Sequence, residues 1–234
     1  RVDPEEITLA SSIADLDSIV EYYGKGGTVN LVGHSWGAML ASAYLGQFPE
    51  KVDRAVLAEP GFLTSEIAAA WVEETKLSVS LGLLYHLLKT KFEALHVREP
   101  DEHASEDYFA HHFNMYQGDD HPQAGYRCEG SGPGEEESWR HGAAAAANIQ
   151  KGAMDSDGNF DIDLTLGLEK YTNQVLFMAG ECQKIIGPDW QERQMAFFPN
   201  SRLAVIPQAG HEMFLENPQA SVLAVREYLN TPAE

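Results

Sequence analysis

Gly33-His34-Ser35-Trp36-Gly37 follows the apolar run Thr28-Val29-Asn30-Leu31-Val32 and leads into the small-residue stretch Ala38-Met39-Leu40-Ala41-Ser42-Ala43-Tyr44-Leu45. A glycine-x-serine-x-glycine set between a strand and a helix forces its serine onto a tight, strained turn. The hydroxyl then stands clear of the sheet edge, above the helix N-terminus. The glycines leave room for that turn. A serine hydroxyl is a weak nucleophile at neutral pH, so it needs a general base within hydrogen-bond reach and a third group to orient that base. His211, in the loop after the last predicted strand, fits the base. Such a set attacks carbonyl carbon through an acyl-serine intermediate.

The elements that must position these groups can be read from periodicity. Ile7, Leu9, Ile13, Leu16, Ile19, Val20 and Tyr23 recur at helical spacing, with Asp3-Pro4-Glu5-Glu6 as the start signal. Pro49 breaks the helix after the pentapeptide, and Arg54-Ala55-Val56-Leu57-Ala58 reads as a buried strand ending at Glu59-Pro60-Gly61. From about Phe62 to Leu168 there is no strand alternation, only helical stretches over 67–95, 105–116 and 142–154. The expected organisation is therefore a core domain over 1–61 and 169–234, interrupted by a helical cap over 62–168. Within the cap, 117–137 collects glycine, proline and acids and reads as loop. Strands over 174–179 and 203–206, a helix over 188–197 and a closing helix from Pro218 complete an alternation that implies a parallel sheet.

The pentapeptide, the stretch Gln208-Ala209-Gly210-His211-Glu212 and the order of elements between them resemble the α/β-hydrolase superfamily. Trp36 after the serine and the long helical insertion look most like its proline-iminopeptidase-like branch. The resemblance implies an α/β-hydrolase fold with a mostly parallel sheet and a helical cap. It also implies about four strands before the elbow strand, where only some 27 residues precede it here, so N-terminal strands are expected to be missing from this chain. A complementary N-terminal chain of the same fold is one partner this would call for.

The third group departs from the superfamily's common pattern. An aspartate usually stands three residues after the glycine that closes the penultimate strand, and Gly180-Glu181-Cys182-Gln183 puts Gln183 there. Glutamine cannot stabilise an imidazolium by charge. The superfamily's other acid position, a glutamate in haloalkane dehalogenases, is the end of the strand after the elbow helix. Here that is Glu59, and an acid ending a buried strand needs a partner. Glu59 is preferred, Glu181 is the alternative acid and Asp189 a third. Dehalogenases and epoxide hydrolases use a carboxylate where this chain has Ser35. The oxyanion formed on attack calls for the Trp36 N–H and a second donor from an early loop.

Thirty-six acidic against sixteen basic side chains give a net charge of −20, which argues against nucleic acid or an anionic membrane surface as partner. No apolar run approaches the length of a membrane span and no signal peptide is seen, which leaves the compartment open. Cys128 and Cys182 could pair or remain two thiols. His34 is read as a packing or pocket-lining residue, and His103, His111, His112 and His121 as solvated cap residues without metal-ligand spacing. The stretch 155–163 is a solvated acidic turn, because its glycine falls at the fourth position of a calcium-loop pattern instead of the sixth. No cofactor or metal is expected. The expected activity is cleavage of a carboxylic ester, small amide or N-terminal peptide bond in a small-molecule or short-peptide substrate. Glu135, Glu136 and Glu137 are candidate partners for a substrate ammonium. A non-catalytic ligand-binding relative and an inactive fragment are the alternatives.

Overall fold

The computed structural model describes residues 3–76, 79–98, 101, 103–114, 124–129, 140 and 142–231. Helix α1 (Leu9–Gly24) starts at Thr8, whose hydroxyl accepts the Ser11 N–H while the Ser11 hydroxyl accepts the Thr8 N–H. This reciprocal cap displaces the start expected at Asp3, because Pro4–Glu6 forms only a 3-10 turn. Strand β1 (Val29–His34), helix α2 (Trp36–Gln47) and strand β2 (Val52–Ala58) follow.

Between β2 and the next strand the chain forms α3 (Ser65–Glu74), α4 (Leu81–Ala94), α5 (Ala104–Asn114) and α6 (Ala143–Gly152). The helical stretch expected over 67–95 is thus two helices, the second opened by the Ser80 hydroxyl accepting the Leu83 N–H. The two ends of this insertion are fastened together: Leu164 N–H donates to the Leu63 carbonyl, and the Ser65 hydroxyl accepts the Ile162 N–H. Asp107 and His111, on α5, are buried. His111 is therefore not the solvated residue expected, and Asp107 accepts from Arg140 Nε at 2.6 Å and from the Ala143 N–H at 2.7 Å. Asp155 accepts the N–H groups of Asp157 and Asn159, which closes the acidic turn.

The chain then returns through β3 (Val175–Gly180), α7 (Pro188–Met195), β4 (Ser201–Ile206), the short α8 (Met213–Glu216) and α9 (Pro218–Asn230). The four strands form a parallel sheet in the order β1-β2-β3-β4. Ala55, Leu57, Val175 and Phe177 pack on one face with Ala38, Ala41 and Leu45 of α2. Val56, Ala58, Leu176 and Met178 pack on the other with Tyr228 of α9. Burial on both faces explains why β2 and β3 read as unbroken apolar runs. Each large side chain buried there contributes about 1.5–3 kcal/mol. Cys128 and Cys182 form a disulfide, which ties the insertion to the loop after β3. None of the described helices is long and apolar enough to cross a membrane.

Candidate active site

β1 and β2 end side by side, with His34 paired to Ala58 as their last rung. The next residue on each strand is Ser35 and Glu59, and both leave the sheet with left-handed backbone, at φ 54° and 44°. Non-glycine residues rarely take that conformation. It is held here by the ladder itself: Ser35 N–H donates to the Ala58 carbonyl at 2.8 Å, and Glu59 N–H to the Met178 carbonyl at 3.0 Å. At Gly33 a Cβ would lie 2.4 Å from the Gly37 carbonyl oxygen, so glycine is required where strand and helix cross. At Gly37 a Cβ would meet nothing within 4 Å. Only the first glycine makes the room that the sequence attributed to both.

The structure brings Ser35, His211 and Glu59 together. His211 Nε2 lies 3.0 Å from Ser35 Oγ, and His211 Nδ1 lies 2.7 Å from Glu59 Oε2. A carboxylate only accepts, so Nδ1 carries the proton and Nε2 presents a lone pair to the serine hydroxyl. Glu59 is fully buried, and its other oxygen accepts the Gly180 N–H at 2.7 Å. Burial pushes the Glu59 carboxyl above the usual glutamate range, against the opposing pull of His211, the Gly180 N–H and the Gln183 side chain. Gln183, at the position where the superfamily's aspartate usually stands, is thus beside Glu59. Its Oε1 accepts the N–H groups of Ile185 and Ile186, and its buried Nε2 makes no hydrogen bond of full geometry.

The alternative acids lie elsewhere. Glu181 is exposed, with Oε2 accepting the Gln208 N–H, and Asp189 sits exposed in the first turn of α7. Trp36 is the first residue of α2, where a backbone N–H has no intrahelical acceptor and is available to an oxyanion. His121, Glu135, Glu136 and Glu137 lie outside the described residues. Among the described residues, no group of three or more His, Cys, Asp or Glu is arranged to hold a metal ion.

Two further contacts on His211 escaped the sequence. His34 Nε2 donates to the His211 carbonyl at 2.8 Å, with the two rings 4.7 Å apart. Burial, then the nearby His211, holds the His34 imidazole below its ordinary range and so favours the neutral ring. From the insertion, the Tyr126 carbonyl accepts the His211 N–H at 2.6 Å, and the Tyr126 ring stands edge-on to the imidazole at 5.3 Å. The Tyr126 hydroxyl accepts from Trp71 Nε1 at 2.7 Å, and burial pushes its pKa up to about 12. Gly210 permits this approach, since a Cβ there would lie 2.3 Å from the Tyr126 carbonyl oxygen. The signal in the sequence was the cysteine pair, with Cys128 two residues after Tyr126 and Cys182 two after Gly180.

A family model described as the alpha/beta hydrolase fold matches residues 3–218. The chain belongs to the α/β-hydrolase family. No curated protein matches the sequence. Among solved structures, the fold is similar to that of VinJ (TM-score 0.64, 17% identity, covering 97% of this chain and 74% of that one). It is also similar to a proline iminopeptidase from Mycobacterium smegmatis (TM-score 0.58, 16% identity, 97% and 73% covered). An esterase from Exiguobacterium antarcticum is similar at TM-score 0.54 and 18% identity, with 98% and 76% covered. At these identities the likeness concerns the fold, and the matches lend no support to a complementary chain.

Proposed function

We propose that this α/β-hydrolase is a serine hydrolase that cleaves a carboxylic ester or small amide through an acyl-serine intermediate. The observation that carries this reading is the unbroken line of hydrogen bonds from Ser35 Oγ through His211 to the buried Glu59. Ser35 Oγ forms a bond to the substrate carbonyl carbon as His211 Nε2 takes its proton, and the carbonyl electrons move onto oxygen. The Trp36 N–H stabilises that oxyanion. Collapse breaks the bond to the leaving group, which receives the proton from His211. Water, deprotonated by His211, then attacks the acyl carbon and restores Ser35. Glu59 keeps the imidazole in the tautomer this cycle needs and stabilises the imidazolium between the two transfers.

The helical insertion, over about 62–168, acts as a cap on this site. Tyr126, which reaches His211 from it, supports that role. A fluorophosphonate probe should label the protein, and Ser35→Ala or His211→Ala should abolish labelling. Turnover of nitrophenyl esters against aminoacyl-naphthylamides distinguishes an esterase from the aminopeptidase activity that one neighbour's name suggests. An unlabelled protein inert to both substrate types would instead be a non-catalytic relative.

A further inference from the structure

A cavity of about 520 Å³ opens between α2, α3 and α6. Its lining ties it to the three residues of the proposed mechanism. Trp36 follows Ser35 directly, and Met39 lies one turn further along the same helix. Phe62 comes three residues after Glu59. Trp71 holds the Tyr126 hydroxyl, and the Tyr126 ring packs on His211. Phe62, Trp71 and Phe160 form an aromatic cluster, with ring centroids 4.7 to 6.4 Å apart. From α6 come Ala145, Ala146, Ile149 and the neutral Gln150, and none of the described lining residues is charged.

We infer that this cavity is the acyl pocket and that it selects an uncharged, apolar acyl group. The inference rests on the acyl-serine reading. His211 must protonate the leaving group, so that group lies on the imidazole side of Ser35. The acyl portion then leaves Ser35 on the side away from His211, and Trp36, the residue after Ser35, is among the residues that line the cavity. Aromatic and aliphatic walls reward burial of hydrocarbon by about fourfold per methylene until the space is filled. Among the described residues they offer a substrate ammonium no carboxylate, and burying an unpaired charge there is costly. An N-aminoacyl substrate is therefore disfavoured.

The test uses the full chain and p-nitrophenyl esters from acetate to decanoate, beside alanyl and prolyl p-nitroanilides. For the wild type, kcat/KM should climb about fourfold per added methylene over the short chains and then level off, while the anilides stay at least a hundredfold below the best ester. Ala146→Trp, which fills the cavity from α6, should lower the octanoate-to-acetate ratio of kcat/KM at least tenfold. Ala145→Phe serves the same purpose should the first variant fail to fold. A flat chain-length profile, a ratio unmoved by both variants, or preference for the anilides overturns the pocket assignment while fluorophosphonate labelling of Ser35 persists. Loss of labelling in the wild type would remove the acyl-serine reading itself, and the pocket with it.

Discussion

The backbone carbonyl of Tyr126 accepts the backbone N–H of His211 at 2.6 Å. The proposed base is thus held from the insertion as well as from its own loop, and His34 grips its carbonyl from the other side. The Cys128–Cys182 disulfide anchors the Tyr126 segment to the loop after β3.

Opening that disulfide should therefore be felt at His211. Cys182→Ser is expected to lower kcat by on the order of tenfold with little change in KM, through loss of alignment. It should also reduce stability by about 2–4 kcal/mol in a denaturant titration. A reductant should slow the wild type to the level of the variant and leave the variant unchanged. Equal kcat for both proteins in oxidising buffer would show that Tyr126 does not align the base.

Removal of the three aligned groups should not be additive. Ser35→Ala and His211→Ala are each expected to lower kcat by roughly 10⁵- to 10⁶-fold, and the double variant by no more than either alone. Glu59→Gln keeps the shape but loses the charge, for a loss of about 10⁴-fold. Glu181→Gln should leave ester hydrolysis within about twofold, since its carboxylate holds only the Gln208 N–H. Steady-state kinetics on one nitrophenyl ester checks all five proteins.

His34 should leave a mark on stability against pH. Its imidazole is held below the ordinary range in the folded chain, mainly by burial, so the unfolded chain binds the proton more readily. The contribution is fully present above the unfolded value of about 6.5 and is lost as pH falls from there toward the folded one. His34→Gln can still donate to the His211 carbonyl but cannot titrate. Thermal melts across this range should show a shallower decline for the variant, and parallel declines would refute the assignment.

The two glycines of the pentapeptide should part company. Gly33→Ala drives a methyl into the Gly37 backbone and is expected to cost at least about 1–3 kcal/mol. Gly37→Ala meets open space inside a helix and should stabilise by up to about 1 kcal/mol. Denaturant midpoints of the two variants decide the point.

Much of this architecture was legible because the signals are local. The four strands announced themselves as short apolar runs, Ser35 by its turn, and His211 and Glu59 by their places at strand ends. Where a boundary depended on a single cap, the reading slipped: Thr8 replaces Asp3 at the first helix, and Ser80 starts a helix inside a stretch read as continuous. What stayed hidden was contact between distant segments. Apart from the Cys128–Cys182 pair, nothing in the residues around Tyr126 or His34 points to a bond with His211, and the burial of His111 depends on how α5 packs. Gln183 pointed to a missing acid, yet only the folded chain puts its side chain beside Glu59.

Ser35 and Glu59 each follow the same rung of the sheet, His34 paired with Ala58. Their separation is consequently gauged by the spacing of two neighbouring strands, about 4.8 Å, and not by any loop. Only His211 has to be delivered from elsewhere. The insertion over the sheet can be reshaped for a different substrate without resetting the distance between the proposed nucleophile and the proposed acid, provided that whatever replaces Tyr126 still seats the histidine.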